Sequence, residues 1–229
     1  MAIKYKAIML DHDDTTVDST PTINYMSYVN FCNKVMKDKP WYKMMNIQEW
    51  YQLMWVNGYD DHIENVMKLN KEEQDLEYNM WKSYISDKHP KFFPGFHEML
   101  VEYKKRGGII AIVSHSDETA IRRHYAEYEG GEKIEPDVVY GYVRGKPELN
   151  KPNVYPVEDL KKKYNLKNEE ICVIDDLASG LIMGNRAGID AIGVLYGKGH
   201  ESVADEIRKI SQYVFDTVQE LADFLLCKQ

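Results

Sequence analysis

The sequence predicts an α/β fold: a doubly wound parallel sheet with a second, smaller all-helical domain inserted after the first strand. Three observations predict it. Short apolar runs bounded by acids or glycines alternate with stretches of helical periodicity, the pattern of a parallel sheet with helices on both faces. That rhythm breaks once, from about 21 to 90, where no strand pattern is found. Acidic and hydroxyl residues also collect at the ends of the apolar runs, where an open parallel sheet binds ligands.

The first run, Ala7 to Leu10, ends in acids and reads as a buried strand. Ile109 to Val113 follows Gly107-Gly108 and a helical stretch from Gly95 to Arg106. Val138 to Tyr140 precedes a glycine-containing loop. Ile171 to Ile174 ends at Asp175-Asp176, and Ala191 to Leu195 follows Gly188. Helical patterns at Asp117–Tyr128, Val154–Tyr164 and Ala178–Ala187 connect these strands, and Val218–Leu226 closes the domain.

The interrupting stretch is rich in aromatics, among them Tyr28, Trp41, Tyr42, Trp50, Tyr51, Trp55, Trp81 and Tyr84. Tyr25, Tyr28, Val29 and Cys32 fall at helical spacing, as do Trp50, Leu53 and Met54. Most of these aromatics are expected to pack a small bundle, with one or two free to line a cleft. Its lysines (Lys34, Lys37, Lys39, Lys43) are expected to face water. Pro90, Pro94 and Gly95 mark the return to the sheet. The expected division is 1–18 and 91–229 for the sheet domain and 19–90 for the helical one.

Composition narrows the function. With 229 residues, 44% hydrophobic, the chain can bury a core, so extensive disorder is excluded. A net charge of −8 argues against nucleic acid as a general partner, because phosphate backbones demand a basic face. No apolar run spans a bilayer, and the N-terminal segment shows no secretory cleavage pattern, so no membrane partner and a cytoplasmic setting are expected. The 3 cysteines are far apart and unpatterned, which suits buried thiols rather than zinc ligands. Monomer and homodimer are both compatible with the sequence.

The strand ends supply the chemistry. After the first strand come Asp11-His12-Asp13-Asp14-Thr15; after the second, Ser114-His115-Ser116; after the fourth, Asp175-Asp176. Lys151-Pro152 precedes the helix feeding the fourth strand. Clustered carboxylates repel unless a cation or proton joins them, and a hard divalent ion such as Mg2+ suits oxygen ligands. A lysine and a hydroxyl complete a phosphate clamp, so the set outlines a phosphoryl-transfer site. Asp11 and Asp13, two apart at a strand end, extend toward one pocket while His12 points away. Each residue also has a plainer reading: a strand-end turn for the first acids, helix caps for Ser114 and Asp175-Asp176, a solvated loop lysine for Lys151. Their joint arrival at one sheet edge favours the site. Lys146-Pro147 rivals Lys151-Pro152; Lys151 is preferred because one helix plus a turn separates it from Asp175. His115 is a candidate substrate contact, and His124 is expected to have no chemical role.

LDHDDTTVDS resembles the first motif of the haloacid dehalogenase superfamily, usually Asp-x-Asp-Gly-Thr. IVSHS resembles the second motif, Lys151-Pro152 the third, and VIDDLASGLIMGNRAGIDAIGV the fourth. PGFHEMLVEYKKRGG is similar to the family's helix before the second strand, so the resemblance spans essentially the whole chain. It is nearest to β-phosphoglucomutase-like and phosphoglycolate phosphatase-like members with a helical cap. The resemblance implies a Rossmann-like core and an Mg2+-dependent phosphatase of a small phosphorylated metabolite. By it, Asp11 is the nucleophile and Asp13 the acid/base. Ser114 and Lys151 meet the phosphoryl group. Asp11, the Asp13 carbonyl, Asp175 and Asp176 hold the metal. A sugar phosphomutase and a low-activity phosphate-ligand binding protein stand as alternatives. Asp14 departs from the family's glycine, adding a charge where positive φ is needed. The absence of a basic residue at Ser116-Asp117 favours hydrolysis over mutase chemistry, and Asp13 argues against true dehalogenation.

Overall fold

The computed structural model describes residues 2–228. In chain order the strands are β1 (Ala7–Leu10), β2 (Val17–Asp18), β3 (Lys91–Phe92), β4 (Ile109–Val113), β5 (Val138–Tyr140), β6 (Ile171–Asp175), β7 (Asp190–Val194) and β8 (Tyr213–Phe215). Six of them form one sheet in the order β5-β4-β1-β6-β7-β8, with every neighbouring pair parallel. β1 lies between β4 and β6, with Leu10 opposite both Ile112 and Ile174. The chain thus winds outward from β1 in both directions, and β1, β4 and β6 deliver their carboxyl ends to one switch point.

Alternation along each central strand divides the core. Ile8, Leu10, Ile110, Ile112, Cys172 and Ile174 join one apolar cluster with α5 (Phe96–Lys105), α6 (Glu118–Ala126) and α10 (Val218–Leu225). Met9, Ala111, Val113, Ile171 and Val173 join the other with α7 (Tyr155–Tyr164), α8 (Ala178–Ala187) and α9 (Ala204–Ile210). Strands covered on both faces read as continuous apolar runs, as these do.

Between β2 and β3 the chain is helical: α1 (Tyr25–Phe31), α2 (Ile47–Trp55), the single turn α3 (Tyr59–Asp61) and α4 (Lys71–Ile85). Wider π-type turns at Thr20–Asn24 and Cys32–Met36 flank α1. Capping boxes start α2 (Asn46 with Glu49) and α4 (Asn70 with Glu73), each satisfying amides that a helix start leaves unpaired. Tyr28, Phe31, Met36, Trp50, Ile63 and Met67 pack the centre of this stretch, as the aromatic spacing predicted. Trp41 stays 55% exposed. Among the four lysines expected in water, Lys39 instead pairs with Glu73 at 2.6 Å. The short antiparallel pair β2–β3 brings the two ends of the helical stretch together, Asp18 opposite Lys91.

Three strands lie outside the sequence expectation. β2 and β3 are two residues each, too short to show alternation, and β8 is three residues on the sheet edge. No helix among the described residues is long and apolar enough to cross a membrane.

Candidate active site

The Asp11 N–H donates to the Ile174 carbonyl at 2.9 Å, extending the β1–β6 ladder by one residue and fixing the Asp11 backbone at the sheet edge. Thr16 Oγ1 donates to the Asp11 carbonyl at 2.7 Å, so the turn that follows folds back on the strand end. That turn needs a left-handed residue, and Asp14 supplies it with φ of 56°. Aspartate tolerates this conformation better than most residues. Its carboxylate is engaged: Oδ1 accepts from the amides of Ser19 (3.2 Å) and Thr20 (2.9 Å), and Oδ2 from the Tyr51 hydroxyl (2.6 Å).

Lys151 crosses the centre of the site. Its Nζ lies 2.9 Å from Asp11 Oδ1 and 2.6 Å from Asp175 Oδ2, with all three side chains buried. The Asn150 side chain holds the loop before it, accepting from Val143 N–H and donating to Val143 O, both at 2.9 Å. His115 Nε2 donates to the Lys151 carbonyl at 3.0 Å, which pins the loop from the β4 end. Lys146 is exposed on the preceding loop, so the rival for the third motif lies away from the carboxylates.

Asp175 closes β6 and accepts from the Leu177 amide through Oδ1 at 2.8 Å. Asp176 accepts from Thr15 Oγ1 at 2.8 Å, and His200 Nε2 lies 3.1 Å from its other oxygen. One oxygen each of Asp11, Asp175 and Asp176 fall within 4.8 Å of one another, and Asp14, Asp176 and His200 form a second such group sharing Asp176. Gly180 on α8 lets this wall close: a Cβ there would stand 1.8 Å from Asp175 Oδ2.

Asp13 occupies the other side. Oδ1 accepts from Ser19 Oγ (2.5 Å) and Asn24 Nδ2 (2.9 Å), while Oδ2 accepts from Ser116 Oγ. Ser114 is buried at the end of β4, where its Oγ accepts from the Ser116 amide at 3.1 Å. His12 turns to the opposite face, as expected. Its Nε2 meets His124 Nδ1 at 2.9 Å, and His124 Nε2 meets the Lys88 carbonyl at 3.0 Å. A carbonyl only accepts, so His124 carries its proton on Nε2 and His12 donates to it. His124 therefore has a structural partner in the turn between the two acids.

Burial pushes Asp11 well above the usual carboxylate range; Lys151 pulls it down, while Asp175 and Asp176 push it further up. Asp175 rises to about 6, chiefly through burial, with Lys151 opposing and Asp176 adding. Burial works against the Lys151 charge, but Asp11 and Asp175 raise its pKa and keep it an ammonium. Asp13 behaves differently: burial opposes its ionisation, yet His12 and the donors Ser116, Ser19 and Asn24 hold it below the usual range. Asp11 and Asp175 thus share one lysine, with the buried Asp176 carboxylate beside them, a crowding of negative charge that a divalent ion with oxygen ligands would relieve. The donor set fits Mg2+.

The family model for haloacid dehalogenase-like hydrolases matches residues 8–194. The chain belongs to this family. Solved structures share its fold at low identity. A haloacid dehalogenase-like family hydrolase from Streptococcus pneumoniae is 17% identical with a TM-score of 0.71, covering 96% of this chain and 98% of its own. A predicted phosphoglycolate phosphatase from Haemophilus somnus is 19% identical at TM-score 0.70, covering 99% of each chain. CbbY from Rhodobacter sphaeroides, as a mutant in complex with xylulose-(1,5)-bisphosphate, is 14% identical at TM-score 0.67, covering 95% of this chain and 96% of its own. No curated protein sequence matches the chain significantly.

The sequence-predicted residues Asp11, Lys151, Asp175 and Asp176 meet within this haloacid dehalogenase-like core, with Asp13 and Ser114 on the adjoining wall. Sequence reasoning missed Ser116, Ser19 and Asn24 around Asp13, Thr15 and His200 on Asp176, and Tyr51 on Asp14. Ser116 had a signal, because it sits two residues from Ser114 and shares its side of the strand end. His200 and Tyr51 come from segments whose approach only the folded chain decides.

Proposed function

We propose that this chain is an Mg2+-dependent phosphatase of a small phosphorylated metabolite that works through an aspartyl-phosphate on Asp11, with residues 19–90 as a helical cap. The observation that carries the reading is the Lys151 ammonium bridging Asp11 Oδ1 and Asp175 Oδ2 beside Asp176. Lys151 occupies one Asp11 oxygen and leaves the other to attack phosphorus in line. As the Asp11–phosphorus bond forms, the bond to the substrate oxygen breaks, and Asp13, ionised in the free protein, passes to that oxygen a proton brought in by the monoanionic phosphate ester. Asp13 then takes a proton from water, the water oxygen bonds to phosphorus, and the Asp11–phosphorus bond breaks to release phosphate. Ser114 and Lys151 hold the phosphoryl oxygens.

Mg2+ would be held by Asp11, Asp175, Asp176 and the Asp13 carbonyl, and would screen carboxylate from phosphate. A cytoplasmic setting belongs to the same reading and is supported by three unpaired cysteines, two of them buried.

The test is hydrolysis of an aryl phosphate and of a panel of phosphorylated sugars, glycolate, nucleotides and pyrophosphate, with Mg2+ and after chelation. Phosphate release that depends on the metal and is lost in Asp11→Asn supports the proposal. Metal-independent turnover, or full activity in Asp11→Asn, overturns it. Phosphate retained on a sugar with little release assigns a phosphomutase instead.

A further inference from the structure

Asp14 joins three parts of the chain. Its Oδ1 takes the Ser19 and Thr20 amides, where the chain leaves β2 for the helical stretch, and its Oδ2 takes the Tyr51 hydroxyl at 2.6 Å from α2, deep within that stretch. Tyr51 is 2% exposed. Its ring lies against Gly199, where any Cβ would come within 2.2 Å of a ring carbon, so only glycine admits the tyrosine here. The ring also meets His200 edge to face at 6.2 Å, and His200 Nε2 stands 3.1 Å from Asp176 Oδ2. α2 thus docks through Tyr51 onto the Asp14 turn and onto the 196–202 loop that supports Asp176. A glycine at position 14 has no carboxylate to offer any of these partners.

We propose that Asp14 and Tyr51 are positioning residues that latch the helical segment over the site, so that the charge at position 14 serves closure. The kinetic arm of this proposal rests on the phosphatase reading; the structural arm does not. The latch acts through α2 and touches no reacting atom. One hydrogen bond between a buried carboxylate and a hydroxyl is strong enough to shift a docking equilibrium about tenfold or more.

The experiment compares wild type, Tyr51→Phe, Asp14→Gly, Asp14→Asn and the Tyr51→Phe/Asp14→Gly double variant by amide hydrogen exchange and by steady-state kinetics. Tyr51→Phe is the clean probe, since it removes one oxygen and keeps the ring on Gly199. The expected result is about tenfold faster exchange at α2 amides, with α8 amides unchanged, in Tyr51→Phe and in Asp14→Gly. The double variant adds nothing beyond Asp14→Gly, because Asp14→Gly already breaks the bond that Tyr51→Phe removes. Asp14→Asn, which keeps one oxygen for the Ser19 and Thr20 amides and can donate its Nδ2 to the Tyr51 oxygen, restores part of the protection. In turnover, Tyr51→Phe raises KM about tenfold and changes kcat less than about threefold. Unchanged α2 exchange in Tyr51→Phe, or effects that add independently in the double variant, overturns the latch. If no phosphate ester is turned over, the exchange results still decide the latch while the phosphatase reading fails alone.

Discussion

The Lys151 ammonium lies 2.9 Å from Asp11 Oδ1, and the two side chains come from opposite sides of the β4 strand in sequence yet share one buried point at the edge of the sheet. Removing one partner of a buried ion pair leaves the other uncompensated, at a cost of roughly 3–5 kcal/mol. Lys151→Met is expected to lower the urea midpoint accordingly and to cut kcat by about 10²–10³-fold, on the scale of a lost electrostatic clamp. Lys151→Arg does not rescue it, because a planar fork does not fit a point between two carboxylates. Wild-type turnover in either variant contradicts this assignment.

Gly180 decides whether Asp175 can reach Lys151. A Cβ at 180 falls 1.8 Å from Asp175 Oδ2, the oxygen that Lys151 holds at 2.6 Å. Gly180→Ala therefore displaces that carboxylate while remaining compatible with the helix. The expected outcome is at least about tenfold weaker activation by Mg2+, read from the metal dependence of the rate, with the circular dichroism of the fold retained.

Ser116 donates to Asp13 Oδ2 and shares Asp13 with Ser19 and Asn24. Ser116→Ala is expected to lower kcat about tenfold with little change in KM, because the acid/base loses its orientation while phosphate contacts stay. Stability should fall by about 1 kcal/mol. A variant that changes KM alone would place Ser116 on the substrate instead.

Acid weakens the fold through His124. Burial, followed by His12, lowers its pKa from 6.5 to about 4 in the folded protein. A histidine with a depressed folded value binds fewer protons folded than unfolded, so its contribution is complete above pH 6.5 and is lost as pH falls toward about 4. Urea midpoints measured from neutral pH to about pH 5 should decline, and His124→Gln should decline less, by up to about 1.4 kcal/mol per pH unit. Equal slopes contradict a neutral His124.

The legible parts of this molecule are those that depend on short sequence distance. Ile8, Ile110 and Cys172 lie in continuous apolar runs because both sheet faces are covered, and Asp11, Ser114 and Asp175 end those runs, so strands and site edge could be read together. Lys151 was separable from Lys146 by its distance to Asp175. What stayed hidden is set by tertiary approach. β2 and β3 exist only because Val17 and Phe92 meet across the helical stretch. Asp14 read as a stray charge, since its partners Tyr51 and Thr20 lie beyond the turn it forms. His200 gave no signal, because it reaches Asp176 from a loop without periodicity.

Acid-quenched mass spectrometry of the protein during turnover of an aryl phosphate with Mg2+ decides whether Asp11 is the nucleophile. A phosphoryl adduct is expected on the peptide carrying Asp11, absent in Asp11→Asn and absent when the metal is chelated. Steady turnover with no adduct at Asp11, or an adduct at another residue, would contradict that role.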